Sequence, residues 1–234
     1  PTAAEPGAGF LVETAGARLV LDLGPGTFRE LVARLPIHAV DALVVSHGHA
    51  DHAADLLAWY HAARYGVMPR AAVPLFAPDD VVERVGAFLR KDAEELGLVF
   101  DHRPVVPGTT GSVAGVELRF GSVAHPVPAV ATRLEAGGRS LLYSGDTGPS
   151  ASVVELGAGV DLFVCEATTL TDPVAGLHCD VESAAAMAAD ADAGALLLTH
   201  LREDVDHAEA VAIASATFGG LVSVARSGLS LSIG

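Results

Sequence analysis

Residues 46–52 read Ser46-His47-Gly48-His49-Ala50-Asp51-His52, and they directly follow the apolar run Ala42-Leu43-Val44-Val45. Such a run predicts a buried strand over 41–46 that carries the histidines into the protein. His47 and His49 are two residues apart, so an extended segment points both rings to one side. Imidazole and carboxylate suit zinc, manganese or iron, and Asp51 and His52 can face a second ion after a turn. The pattern therefore indicates a metal-binding loop rather than an exposed histidine-rich loop.

Three further candidate ligands stand where apolar runs end. His125 follows Ser122-Val123-Ala124, Asp146 follows a strongly apolar strand in Ser144-Gly145-Asp146, and His200 follows Leu196-Leu197-Leu198-Thr199. Any one of them alone is as well explained by a histidine at the core boundary or a turn-forming aspartate. Three such residues, combined with the loop at 46–52, favour a shared metal site.

The remaining patterning predicts one α/β domain that spans residues 1–234. Strands are expected over 9–13, 18–23, 41–46, 116–120, 131–135, 140–144, 160–165, 195–199, 221–225 and 229–232. Helices are expected over 27–35, 53–65, 80–96, 181–189 and 205–218. Strands in meanders followed by strands alternating with helices predict two sheets packed face to face with helices outside. Asp204 and Asp206 are expected to cap the helix over 205–218 rather than to bind metal.

Composition narrows the class of partner and the compartment. The 234 residues are 50% hydrophobic and carry a formal net charge of −15, which argues against a polyanion such as RNA as the main partner. No apolar run reaches the roughly 18 residues of a membrane span, so no membrane partner is expected. The two cysteines, Cys165 and Cys179, read as reduced thiols of a cytoplasmic protein.

The order His-x-His-x-Asp-His, then His125, Ser-Gly-Asp146 and Thr-His200, resembles the metallo-β-lactamase superfamily over nearly the whole chain. The resemblance implies a four-layer αβ/βα sandwich that holds two divalent metal ions, zinc foremost, with manganese or iron as alternatives. It implies that His47, His49 and His125 hold one ion. It also implies that Asp51, His52 and His200 hold the other, and that Asp146 bridges the two.

A second motif indicates which branch of the superfamily the chain resembles. Cys165-Glu166-Ala167-Thr168, with Leu177-His178-Cys179 further on, resembles the ribonuclease Z-like phosphodiesterases. The resemblance implies that His178 sits opposite the metals, braced by Glu166, and protonates the leaving oxygen. The alternative is that Glu166 caps a helix and His178 is an ordinary loop residue.

Two departures from that branch bear on the substrate. The glycine-rich and basic arm that grips tRNA in ribonuclease Z has no counterpart in this sequence. The chain more closely resembles small bacterial relatives that cleave cyclic nucleotides or other small phosphodiesters. These families usually open with a strand and a glycine-rich loop ahead of the segment 9–13, and we expect that strand to be missing.

The resulting hypothesis is a binuclear phosphodiesterase that uses a metal-bridging hydroxide, oriented by Asp51, on a small phosphodiester. The first alternative is a metal-dependent acyl hydrolase of the lactonase or thioesterase type, and a tRNA 3′-processing endonuclease ranks below it. A metal- or nucleotide-binding module without activity is the third alternative. The physiological substrate, the native metal and the oligomeric state, with a homodimer as one candidate, are left open.

Overall fold

The computed structural model describes residues 5–67, 71–174 and 176–234. The chain is divided into two units, each with its own sheet and hydrophobic core. The first unit contains the described residues up to Val105 together with Val113–Gly115, and the second contains Val106–Ser112 and Val116–Gly234.

The first unit is built on a five-stranded sheet whose strand order follows the chain. Its strands are β1 (Phe10–Glu13), β2 (Arg18–Leu21), β3 (Ala42–Val44), β4 (Val73–Ala77) and β5 (Phe100–Pro104). β1 and β2 form an antiparallel hairpin, and β2 to β5 run parallel. The carboxyl ends of β2 to β5 therefore meet at one edge of the sheet, which is where the segment 46–52 begins.

Helices pack on this sheet through their apolar sides. They are α1 (Thr27–Arg34), a 3₁₀ turn (Ile37–Ala39), α2 (Ala50–Ala53), α3 (Leu56–Tyr65), α4 (Asp79–Leu89) and α5 (Ala93–Gly97). Trp59 and Leu56 of α3 are fully buried and belong to the same hydrophobic core as Leu43 of β3 and Leu75 of β4. This core fixes the sheet edge on which the histidine loop stands.

The second unit contains a seven-stranded sheet in the order β12-β11-β10-β9-β8-β7-β6. The strands are β6 (Thr110–Val113), β7 (Val116–Ser122), β8 (Val130–Ala136), β9 (Arg139–Tyr143), β10 (Leu162–Glu166), β11 (Ala195–Thr199) and β12 (Leu221–Val224). The helices are α6 (Ala151–Leu156), α7 (Val181–Asp190) and α8 (His207–Phe218). β9 to β12 are parallel, so the residues that follow β9, β10 and β11 lie along one edge of this sheet.

The predicted α/β class with two sheets and helices is confirmed. The strands expected over 131–135 and 140–144 form an antiparallel hairpin. Its turn contains Gly137 and Gly138, with φ of 58° and 76°, the left-handed pair that a tight two-residue turn requires. Asp206 caps α8 by accepting hydrogen bonds from the amides of Ala208 and Glu209, whereas Asp204 pairs with Arg202 at the surface. In the described ranges, no helix has the length and apolar character needed to cross a membrane.

Several predicted elements are wrong in detail. The helix expected over 80–96 is two helices, because Arg90 adopts a left-handed conformation (φ 54°) and Asp92 caps the second helix. The helix expected over 53–65 is likewise divided between α2 and α3. The strand expected over 229–232 does not form. Strands β4, β5 and β6 and helix α6 were not predicted.

Candidate functional site

The loop 46–52 lies at the carboxyl edge of the first sheet, where β3 ends. His47 and His52 are buried, while His49 and Asp51 are partly exposed. The His47 ring centroid is 4.6 Å from that of His49 and 4.3 Å from that of His52, and Asp51 Oδ2 is 3.7 Å from His52 Nε2. Within the first unit, the structure therefore brings together the four residues of the motif that are candidate metal ligands.

Asp22, a residue that sequence analysis missed, is hydrogen-bonded to this loop. It is fully buried after β2 and accepts hydrogen bonds from the Ser46 amide (2.7 Å), the Ser46 hydroxyl (2.8 Å) and His52 Nδ1 (2.7 Å). Nearby, a Cβ added at Gly24 would lie 1.9 Å from the Asp51 carbonyl oxygen, so only glycine permits this approach. The available signal was an isolated acidic residue between Leu21 and Leu23.

Asp22→Ala is expected to weaken binding of zinc by about 10- to 100-fold, the usual effect of removing a partner that orients a metal ligand. Competition with a chromogenic chelator measures this affinity. Asp41→Ala is the matched control, because Asp41 also accepts a backbone amide, that of Arg18, but at the other end of β3. Equal affinity of the Asp22→Ala and parent proteins would contradict the role of Asp22.

In the second unit, the polar residues that were predicted for the site lie along the carboxyl edge of β9, β10 and β11. Asp146 is buried after β9, and its Oδ1 atom is 3.6 Å from Nε2 of His200, which follows β11. The ring of His178 stacks on that of His200 with centroids 5.3 Å apart, and the centroid of His125 is 5.7 Å from that of His178. Asp146, His178 and His200 each offer one ligand atom, and these three atoms lie within 4.8 Å of one another.

Glu166 and His178 form the contact that the second motif predicts. His178 Nδ1 is 2.9 Å from Glu166 Oε1, which also accepts the Thr147 amide at 3.0 Å. The other carboxylate oxygen accepts the Thr168 hydroxyl at 3.2 Å. Burial raises the pKa of Glu166, and the hydrogen bond with His178 acts in the opposite direction. Glu166 therefore braces the imidazole and does not cap a helix.

The histidines share one feature that tests whether these residues fit a metal. Five of them engage a protein partner through Nδ1: His47 with Ser46 Oγ, His52 with Asp22, His125 with the Leu177 carbonyl, His178 with Glu166 and His200 with Thr168 Oγ1. A ring fixed in this way presents Nε2 to a ligand, and such partners are typical of metal-binding histidines. With carboxylates beside them, the residues fit divalent ions of the zinc type.

Comparison with known proteins gives the same family for sequence and structure. A family model described as a β-lactamase superfamily domain matches residues 17–201. An uncharacterised protein of Mycobacterium leprae is 34% identical, over 95% of this chain and 81% of that protein. A ribonuclease Z of a Mycobacterium species (strain KMS) is 30% identical, over 86% of this chain and 79% of that protein.

The similarity extends to a solved structure. The probable metallo-hydrolase YhfI of Bacillus subtilis is 28% identical, over 97% of this chain and 93% of that protein. The crystal structure of YhfI, described as a metallo-β-lactamase fold protein, superimposes with a TM-score of 0.87 at 26% identity, over 98% of this chain and 93% of that chain. The predicted fold family is therefore confirmed.

Proposed function

The chain belongs to the metallo-β-lactamase superfamily, and on that premise we propose that it is a binuclear phosphodiesterase of small phosphodiesters such as cyclic nucleotides. Membership makes the chain a metallo-hydrolase. The observation that carries the phosphodiesterase assignment is the 2.9 Å hydrogen bond between Glu166 and His178, next to Asp146 and His200.

The proposed metal ligands follow the superfamily pattern. His47, His49 and His125 would hold one divalent ion, Asp51, His52 and His200 would hold a second, and Asp146 would be shared. Zinc is the proposed metal, because histidine nitrogens outnumber carboxylates in the set. When bound, two such ions would lower the pKa of a coordinated water and neutralise charge on the phosphoryl group of the substrate. Asp51 would orient the attacking water through its second oxygen.

The role proposed for His178 is to protonate the leaving oxygen. An alkoxide is a poor leaving group, so cleavage of an alkyl phosphodiester needs a proton as the bond to phosphorus breaks. Glu166 accepts from Nδ1 of His178, so Nε2 is the atom that presents the proton. The buried Glu166 carboxylate also fixes the orientation of the imidazole through this contact.

The ribonuclease Z relative makes RNA the competing substrate class. The net charge of −15 supports the small substrate, because a long polyanion meets repulsion from the whole protein, whereas a small diester does not depend on an extended basic surface.

The compartment proposed for this activity is the cytoplasm. Cys165 and Cys179 are both free thiols and both buried. The contact with Cys165, together with burial, raises the pKa of the Cys179 thiol, so the Cys179 sulfur is held in the protonated, unreactive form. A pair of reduced cysteines suits a reducing compartment.

Metal removal and a substrate panel test the proposal. The metal-loaded protein is expected to retain about two zinc ions per chain after dialysis, measured by plasma mass spectrometry. It should hydrolyse cyclic mononucleotides and bis(4-nitrophenyl) phosphate faster than short RNA and should leave a lactone intact. Chelation should abolish hydrolysis, and added zinc or manganese should restore it. Fewer than about one ion per chain would favour a binding module, and faster lactone cleavage would favour an acyl hydrolase.

A further inference from the structure

Arg84 lies directly against the backbone of the metal-binding loop. A Cβ added at Gly48, between the proposed ligands His47 and His49, would lie 2.9 Å from both Cδ and Nε of Arg84. It would also lie 3.0 Å from Asp80 Oδ2. The absence of a side chain at position 48 is therefore what lets the guanidinium approach this loop.

The parallel sheet of the first unit brings the two segments together. β3 and β4 are adjacent, and the Val45 amide donates to the Phe76 carbonyl at 2.8 Å just before the loop begins. Helix α4 starts at Asp79, two residues after β4, at the same carboxyl edge of the sheet. Arg84 is in the second turn of this helix and is held there by a 3.1 Å hydrogen bond from Nε to Asp80 Oδ2.

The rest of the guanidinium is available to a ligand. The Arg84 side chain is 56% exposed, and its two terminal nitrogens form no hydrogen bond with any residue in the described ranges. Arginine presents a planar fork of donors that matches phosphate oxygens. Asp80 offsets part of the charge of Arg84, so the attraction for an anion comes from the two terminal nitrogens beside the loop.

We propose that Arg84 binds a second anionic group of the substrate, a terminal phosphate monoester carried beyond the scissile diester. This inference rests on the proposed phosphodiesterase function. The proposed metal ions would bind the scissile phosphoryl group. Arg84, on the helix next to the loop, would then bind another anionic group of the substrate. The preferred substrate class is then a nucleotide phosphodiester that also bears a terminal phosphate.

Two chromogenic substrates that differ in one group test this assignment. Thymidine 5′-(4-nitrophenyl phosphate) and its 3′-phosphorylated form share the scissile bond and the leaving group. The parent protein is expected to favour the 3′-phosphorylated substrate by about tenfold in kcat/KM, mainly through a lower KM. A tenfold preference corresponds to the lower end of the free energy that a charge-assisted hydrogen bond contributes. Arg84→Gln should reduce this preference to about one, Arg84→Lys should restore part of it, and 1 M NaCl should weaken it in the parent.

Arg18→Gln is the matched control. Arg18 is also half exposed, and its Nε donates to the carboxylate of Glu13. It lies at the amino end of β2, at the edge of the sheet opposite to the loop 46–52. Arg18→Gln should keep the tenfold preference. A parent protein without the preference, or Arg84→Gln with the preference intact, would overturn the inference. Absence of hydrolysis of both substrates would instead contradict the proposed function. Calorimetric binding of thymidine 3′,5′-bisphosphate against thymidine 5′-monophosphate, with the parent and Arg84→Gln, then still decides the role of Arg84.

Discussion

Replacing Asp146 by asparagine should lower kcat/KM for a small phosphodiester by about 10³-fold or more, with loss of metal from the protein. Asp146 is buried, and its two oxygens lie 3.6 Å from His200 Nε2 and 3.9 Å from His178 Nδ1. Asparagine keeps the shape but removes the negative charge that a shared ligand contributes. Metal ions supply several kcal/mol of transition-state stabilisation, and each 1.36 kcal/mol corresponds to a factor of ten in rate. Steady-state kinetics and metal analysis of the same sample measure both effects.

Asp161→Asn is the matched control, because Asp161 stands at the opposite end of β9 and β10. Its carboxylate accepts the Ser140 amide and hydroxyl at 2.8 and 2.9 Å, and these bonds hold its pKa below the usual value. A lowered pKa in the folded state contributes stability above the pKa of the unfolded chain, and this stability is lost as pH falls through the folded pKa. Asp161→Asn should therefore be less stable at pH 7 than the parent, with the difference vanishing in acid, while activity and metal content persist. Full metal content and activity in Asp146→Asn would contradict its role as a ligand.

The histidine loop shows how much of the site can be predicted from sequence. The segment 46–52 is contiguous, so its candidate ligands and its position after a buried strand can be predicted from the local pattern. Asp22 does not, because its contacts to Ser46 and His52 span 24 and 30 residues and arise only when β2 and β3 pair. The same holds for Arg84, which reaches Gly48 through the pairing of β3 with β4.

The fold errors have equally local causes. β4 contains Pro74, a residue that is unfavourable inside a strand. β5, Phe100–Pro104, is a polar edge strand with a buried phenylalanine at its start. Neither strand therefore shows a clean alternation of apolar and polar residues. The apolar period of 80–96 continues across the left-handed Arg90, which hides the break between α4 and α5. The residues 229–232 alternate leucine and serine, but within the described ranges they pair with no strand. Alternation predicts the capacity to form a strand and not the presence of a neighbour.

The pair Glu166 and His178 was predicted by resemblance, and the structure brings the two side chains to 2.9 Å. Proximity does not assign chemistry, because His178 also belongs to the three-donor group with Asp146 and His200. A histidine in this position can act as an acid toward the substrate or as an additional metal ligand. The two roles differ in how substitution affects different leaving groups.

His178→Ala is expected to lower kcat by about 10²- to 10⁴-fold for a phosphodiester with an alkyl leaving group, the usual range for general acid catalysis. The loss should be less than about tenfold for bis(4-nitrophenyl) phosphate, because 4-nitrophenolate departs without a proton. A cyclic nucleotide and bis(4-nitrophenyl) phosphate, assayed on one preparation of known metal content, provide the comparison. The metal content should stay at about two ions per chain, since the proposed ligand set does not include His178.

Two further variants sharpen this test. Glu166→Gln keeps an acceptor for His178 Nδ1 but removes the charge that stabilises the protonated ring, so it should show a smaller loss with the same dependence on leaving group. His207→Ala removes an exposed histidine at the start of α8 and should affect neither substrate. An equal loss on both substrates, accompanied by loss of an ion, would make His178 a metal ligand. Full turnover of the alkyl substrate would remove His178 from the reaction, and the phosphodiesterase assignment would then lose the contact that supports it.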